Sequence, residues 1–240
     1  MPRSLEDLRL RICYGGTFDP VHNGHLAVAR AARDATRAPV FLLPAADPPH
    51  KGPTHADAQQ RARMLDLAIA GETGLKVDRR ELRREGPSYT IDTLLELRAE
   101  LGNEVPIAWL IGGDSLSQLH TWHRWRELFE HAHILAVQRP GSHIDPDTLG
   151  GIAPLVRAEA ARRWRSLDEL STAPSGGLAV LPLQELRPES STELRRRIAA
   201  SDSRPADGNP GWRGWVPPSV ASYIDRHHLY STAGQNSVSL

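Results

Sequence analysis

Residues 15–26 read Gly-Gly-Thr-Phe-Asp-Pro-Val-His-Asn-Gly-His-Leu and combine two features that suit phosphate chemistry. Two glycines follow an apolar run and let the backbone come close to a bulky anion. His22 and His25 stand three apart where a helical pattern begins, and free amides at a helix start attract negative charge. Imidazoles placed there can donate to the oxygens of a reacting phosphoryl group. A two-histidine metal site is the competing reading, but no third ligand is evident nearby. A second string, residues 190–195, reads Ser-Ser-Thr-Glu-Leu-Arg. Its hydroxyl residues can cap a helix and leave amides for an anion, and Arg195 follows Thr192 by three residues, so it can point from the same turn toward a phosphate. An ordinary serine-capped helix with a solvated arginine face would look the same in isolation.

These strings need a frame that holds them. Apolar runs at 10–14, 40–43, 107–111, 134–137 and 178–183, and an alternating stretch at 75–82, read as strands. Helical periodicity covers 23–36, 56–70, 90–101, 115–131, 191–200 and 219–228. Strand and helix alternate along almost the whole chain. That order predicts an α/β fold: a Rossmann-like, doubly wound parallel sheet with helices on both faces. Ligands in such sheets bind beyond the carboxyl ends of the strands, near the switch in strand order. The glycine turns after the first strand and at Gly112-Gly113-Asp114 fall at such ends. A Pro/Gly/Asp-rich stretch at 201–214 reads as a loop, and 231–240 as a loose tail.

Composition narrows the function classes. The 240 residues carry 29 basic and 29 acidic side chains, a net charge of zero. That argues against a protein built to bind nucleic acid, where a basic excess supplies affinity. Only Lys51 and Lys76 are lysines. The single Cys13 excludes an internal disulfide framework and a cysteine-rich zinc site; it reads as a core residue. No apolar run approaches the roughly 18 residues of a membrane span. The first residues carry acids early and lack a continuous apolar stretch, unlike a secretory signal. The expectation is a cytoplasmic protein with no membrane partner, and monomer or homo-oligomer stays open.

The His22-Asn-Gly-His25 string resembles the His-x-Gly-His motif of nucleotidylyltransferases, and within them the bacterial nicotinate-nucleotide adenylyltransferases. Three more strings support the narrower likeness: Pro48-Pro49-His50-Lys51 after the second strand, Ser88-Tyr89-Thr90-Ile91-Asp92-Thr93-Leu94, and Ile111-Gly112-Gly113-Asp114-Ser115-Leu116 followed by Trp122 and Trp125. The Ser190–Arg195 string is similar to the family's Ser-Ser-Thr-x-x-Arg. The closing Trp215-Val-Pro-Pro-Ser-Val-Ala-Ser-Tyr-Ile and Leu229-Tyr230 resemble the family's last helix. The resemblance runs from about Arg11 to Tyr230 and implies one nucleotidylyltransferase domain over 1–230. One position departs: the family usually has an apolar residue before the serines, and this chain has Glu189.

The resemblance implies transfer of AMP from ATP to nicotinate mononucleotide, giving deamido-NAD and pyrophosphate, with Mg²⁺ accompanying ATP and no metal held by the protein alone. His22, His25 and Arg195 would be catalytic. ATP would be bound by Gly15, Gly16, Thr17, Phe18, His22, His25, Gly112, Asp114, Arg139, Ser191, Thr192 and Arg195. The pyridine nucleotide would meet Lys51, Tyr89, Thr90, Asp114 and Trp122, with Tyr89 and Trp122 stacking on the ring. Asp114 could position substrate groups or a magnesium-bound phosphate. The competing readings are a relative acting on phosphopantetheine, a nucleotide-binding module without activity, and an arginine-rich RNA-binding protein.

Overall fold

The computed structural model describes residues 9–46, 54–84, 86–138, 144, 153–185, 187–200 and 211–231. Six strands form one parallel sheet: β1 (Arg11–Gly16), β2 (Val40–Pro44), β3 (Leu75–Val77), β4 (Ile107–Gly112), β5 (His133–Gln138) and β6 (Leu178–Pro182), side by side in the order β3-β2-β1-β4-β5-β6. The central strands are apolar at almost every position because a parallel sheet is covered on both faces. Alternate residues therefore serve two separate cores. Ile12, Leu110 and Leu135 pack with α1 (Asn23–Thr36), α2 (Ala58–Ala68), α7 (Ser191–Ala200) and α8 (Pro218–Arg226). Cys13, Trp109 and Ile134 pack on the other face with α3 (Thr90–Leu101), α4 (Gly113–Ser117), α5 (Leu128–His131) and α6 (Pro154–Ala161).

From β1 the chain moves outward to β2 and β3, then returns to lay β4 on the other side of β1. The connections leave in opposite directions, so a crevice opens beyond the carboxyl ends of β1 and β4, at Gly16 and Gly112. The doubly wound parallel architecture is the one expected from the alternation of elements. Among the described residues no helix is long and apolar enough to cross a membrane.

Several local expectations need correction. Gly15 and Gly16 do not turn; they are the last residues of β1. Cys13 pairs with Trp109, and the indole packs beneath Gly15, where a Cβ would stand 2.6 Å from Trp109 Cζ2. The glycine is required by close packing, and the turn follows at Phe18, whose φ of 50° is unusual for a residue with a side chain. Alternation at 75–82 yields a strand of only three residues. Arg80 and Glu81 are buried polar groups whose partners lie on both flanks, and the chain curls into a 3-10 turn at Arg80–Arg83 to meet them. The helix expected over 115–131 is broken into α4, a 3-10 turn at Leu119–Thr121, and α5, with Arg124 at φ 51° between them. Gly211–Trp215 is a 3-10 turn rather than loop, and α6 and a 3-10 turn at Asp168–Ser171 had no counterpart in the sequence reading. The stretch 201–210 and the tail from 232 lie outside the described residues.

Candidate active site

Helix α1 starts where β1 has just ended, and two histidines start it. His22 is the N-cap, with extended backbone (φ −143°, ψ 170°). The backbone N–H of His25 donates to His22 Nδ1 at 3.3 Å, and the backbone N–H of His22 donates to His25 Nδ1 at 3.3 Å. This is a reciprocal capping box built from two imidazoles, where a Ser/Thr and Glu/Gln pair is usual. The rings stack, centroids 3.7 Å apart at 27°. Since both Nδ1 atoms accept, the proton of each neutral ring belongs on Nε2, the nitrogen farther from the helix backbone. The pair is thereby fixed as two N–H donors side by side. Phe18 is buried and meets His25 edge-on, its ring centroid 5.0 Å away, which holds the outer ring in place.

The loop before the helix is secured from three directions through Asp19, which is 4% exposed. Its carboxylate accepts from the backbone N–H of His55 (2.9 Å) and of Ala56 (3.2 Å) and from the hydroxyl of Tyr230 (2.8 Å). Its carbonyl accepts from Arg195 Nη1 at 2.6 Å. Burial and the neighbouring carboxylate push the Tyr230 phenol well above its ordinary range, so it stays a donor. Beneath the loop Arg61 is fully buried and donates to the carbonyls of Ala56, Thr17 and Ala46 at 3.2, 2.7 and 3.0 Å.

The second string arrives at the same place. Ser191 opens α7 and its Oγ donates to the carbonyl of Pro20 at 3.0 Å, while Ser190 Oγ accepts from the backbone N–H of Glu193 at 3.2 Å. Arg195 also donates from Nη2 to Thr192 Oγ1 at 3.5 Å. Tyr14, His22, Gly24, His25, Gly112, Ser191 and Thr192 surround one cavity of about 300 Å³. Two strings at least 164 positions apart thus converge on one cavity. Arg195 reaches the loop, where it holds Asp19, without lining the cavity.

The residues expected around the pyridine ring sit elsewhere at the same sheet edge. Tyr89 precedes α3 in the N-cap position with no side-chain cap bond, and Thr90 is the first helical residue. Tyr89 stacks on His123 with centroids 4.6 Å apart. Trp122 is half-buried against the second core, and Asp114 is exposed in the first turn of α4. None of these four lines the histidine cavity. Lys51 and Arg139 lie outside the described residues, as does the whole 48–51 string. Cys13 is buried, and burial pushes its thiol up to about 12, which fits a core residue and no nucleophile.

The profile of the cytidylyltransferase-like family matches residues 13–197. A protein of Stenotrophomonas maltophilia (strain K279a) named "Probable nicotinate-nucleotide adenylyltransferase" is 46% identical over 228 residues, covering 93% of this chain and 97% of its own length. The chain belongs to the nicotinate-nucleotide adenylyltransferase family. A family member of the same name from Laribacter hongkongensis (strain HLHK9) is 44% identical over 218 residues, 90% of this chain and 92% of that protein. The solved Plasmodium falciparum nicotinic acid mononucleotide adenylyltransferase complexed with NaAD shares the fold, with a TM-score of 0.66 at 16% identity, over 92% of this chain and 97% of that one.

Within this family member, sequence reasoning passed over Asp19, Arg61 and Tyr230. The Asp-Pro step hinted at a turn, but the partners of Asp19 are 36 to 211 positions away. Glu189, noted only as a departure from the family pattern, lines the cavity too.

Proposed function

We propose that the histidine cavity is where this adenylyltransferase activates ATP, for attack by the phosphate of nicotinate mononucleotide. An oxygen of that phosphate attacks the α-phosphorus, the bond from the α-phosphorus to the bridging oxygen breaks, and deamido-NAD and pyrophosphate result. The attacking oxygen is already anionic near neutral pH, so no general base is needed. The protein's work is alignment and charge stabilisation. The observation that carries this reading is the reciprocal cap, which engages both Nδ1 atoms and so leaves the proton of each ring on Nε2, beside the start of α1. In our reading His22 and His25 donate to the α-phosphoryl oxygens and leaving group, Gly15, Gly16, Thr17 and Phe18 shape the approach, and Ser191, Thr192 and Arg195 hold the remaining phosphates.

Tyr89, Thr90 and Trp122 are proposed for the pyridine nucleotide, with Lys51, Asp114 and Arg139 assigned from the sequence. Helix α3 supports the first assignment, because the side chain of its N-cap residue, Tyr89, makes no cap bond. Backbone amides there are donors only, and a carboxylate can accept from them with both oxygens. A carboxamide would turn its NH₂ against a donor, so nicotinate is favoured over nicotinamide by at least about tenfold. Among the described residues no three His, Cys, Asp or Glu side chains converge as ligands. A metal centre held by these residues alone does not fit, and Mg²⁺ enters this reading as the ion that ATP carries. The reaction belongs in the cytoplasm, where ATP is available.

The test is pyrophosphate release from ATP and Mg²⁺ with nicotinate mononucleotide, nicotinamide mononucleotide or phosphopantetheine as acceptor. Turnover strongest with nicotinate mononucleotide is expected. Equal efficiency with the nicotinamide form would overturn the donor-only pocket, and turnover with phosphopantetheine alone would overturn the acceptor assignment.

A further inference from the structure

Glu189 occupies the position directly before the paired serines, and its side chain is 7% exposed. Among the described residues its Oε2 has no hydrogen-bond partner. Its Oε1 lies 4.0 Å from Arg187 Nη1, and that guanidinium is engaged more closely by Glu185 at 3.1 Å. Glu189 lines the histidine cavity, and its Oε2 is itself covered from solvent. It would stand 3.5 Å from a Cβ on Gly24, and His22 Nδ1 would stand 3.0 Å from that same point. An alanine at 24 would therefore press on the imidazole and meet the carboxylate at ordinary contact distance, so both groups border the same point.

A buried carboxylate without donors is costly, and the cost is recovered when a donor arrives. A triphosphate cannot supply one, because its oxygens are acceptors and its charge has the same sign. The donors ATP does own are on its nucleoside: two ribose hydroxyls and the 6-amino group of adenine. The rest of the wall fits a nucleoside. Gly24 and Val28 share a face of α1, and Val137 and Leu183 close the side formed by β5 and the residue after β6. We infer that Glu189 is a specificity-determining acceptor for an N–H or O–H donor of the ATP nucleoside, dividing the cavity into a phosphate end at the histidines and a nucleoside end at the carboxylate. This rests on the ATP reading above and adds a residue where the family's usual apolar side chain could make no such bond.

The experiment compares kcat/KM for ATP, 2′-deoxy-ATP, 3′-deoxy-ATP and inosine triphosphate in wild type and in Glu189→Leu. A hydrogen bond to a charged group is worth roughly 10- to 100-fold. Wild type is expected to prefer ATP by at least about tenfold over the analogue that lacks the contacted donor, and Glu189→Leu to bring that ratio within about threefold of one. The analogue affected tells hydroxyl from amine. Inhibition by pyrophosphate, which has no such donor, is expected to be as strong or stronger in Glu189→Leu, whereas a merely structural role would weaken it. Should the leucine variant not fold, Glu189→Gln takes its place: a several-fold drop in the ratio supports the contact, and an unchanged ratio overturns it. Wild type that uses ATP well, with discrimination unchanged by the substitution, would overturn this inference alone. A wild type that does not use ATP would overturn the ATP reading beneath it.

Discussion

The hydroxyl of Tyr230 donates to the carboxylate of Asp19 across 2.8 Å of space and 211 positions of sequence. The last described turn of the chain is thereby tied to the loop that precedes the two histidines. The same carboxylate takes two backbone N–H groups from the approach to α2, so three distant segments share one buried acceptor.

Removing that acceptor leaves buried donors unpaired, each costing about 1–3 kcal/mol. Asp19→Ala is expected to lose at least about 3 kcal/mol of stability in urea unfolding, whereas Tyr230→Phe deletes a single bond and loses about 1 kcal/mol. Matching midpoints for Asp19→Ala and wild type would show that the carboxylate does not organise the loop.

His25→Ala removes a preorganised donor and one half of the capping box. Turnover is expected to fall about 100- to 1,000-fold, with a much smaller change in KM for ATP. Steady-state kinetics decide this, and turnover within a few-fold of wild type would deny His25 a catalytic role.

Arg195→Lys tests the guanidinium fork. Arg195 binds the Asp19 carbonyl with one nitrogen and Thr192 with the other, and a lysine ammonium cannot reproduce that span. ATP is expected to bind at least about tenfold more weakly. Near-normal binding in a titration would reduce Arg195 to a solvated helix residue.

Glu81 makes stability depend on pH. It is 4% exposed, and burial raises its pKa from 4.5 to about 7 against the opposing bond from Thr93 Oγ1 at 2.8 Å. The folded state therefore holds the proton more tightly than the unfolded chain. The stabilisation is complete below about pH 4.5 and is lost as pH rises to about 7, amounting to about 3 kcal/mol. Glu81→Gln keeps an acceptor for Thr93 without a charge to bury. Urea midpoints between pH 5 and 8 should lose this slope in the variant, which should also be the more stable form at pH 8. Parallel slopes in the two proteins would locate the titration elsewhere.

What could be read in advance followed the range of the interactions involved. Helices α1, α3 and α7 have the bounds their periodicity announced, because caps and apolar stripes act within a few residues. The histidine pair was legible for the same reason: its partners are three residues apart. The 3-10 turn at Arg80–Arg83 was not, since Arg80 bonds Glu100 and Glu81 bonds Thr93 on a helix not yet in view. Nor did the run from 115 to 131 reveal its break at Arg124, where the backbone turns left-handed inside an otherwise helical pattern. In the candidate site, residue types and spacing singled out the two strings that meet at the cavity, but the Asp19 carboxylate that braces the loop depends on contacts the linear sequence does not show.

Arg61 adds a charge that acts at a distance rather than by contact. Its guanidinium is fully buried and donates to three backbone carbonyls, so it does not meet a substrate directly. Its charge is still present beneath the loop. With Arg195 it sets two cations near the carboxylate of Asp19, both positioned when the chain folds. Salt screens an enclosed charge far less than a surface one. The pull of the buried Arg61 guanidinium on a polyanion, set against the Glu189 carboxylate of the histidine cavity, should therefore persist at ionic strengths that would silence an arginine on the surface.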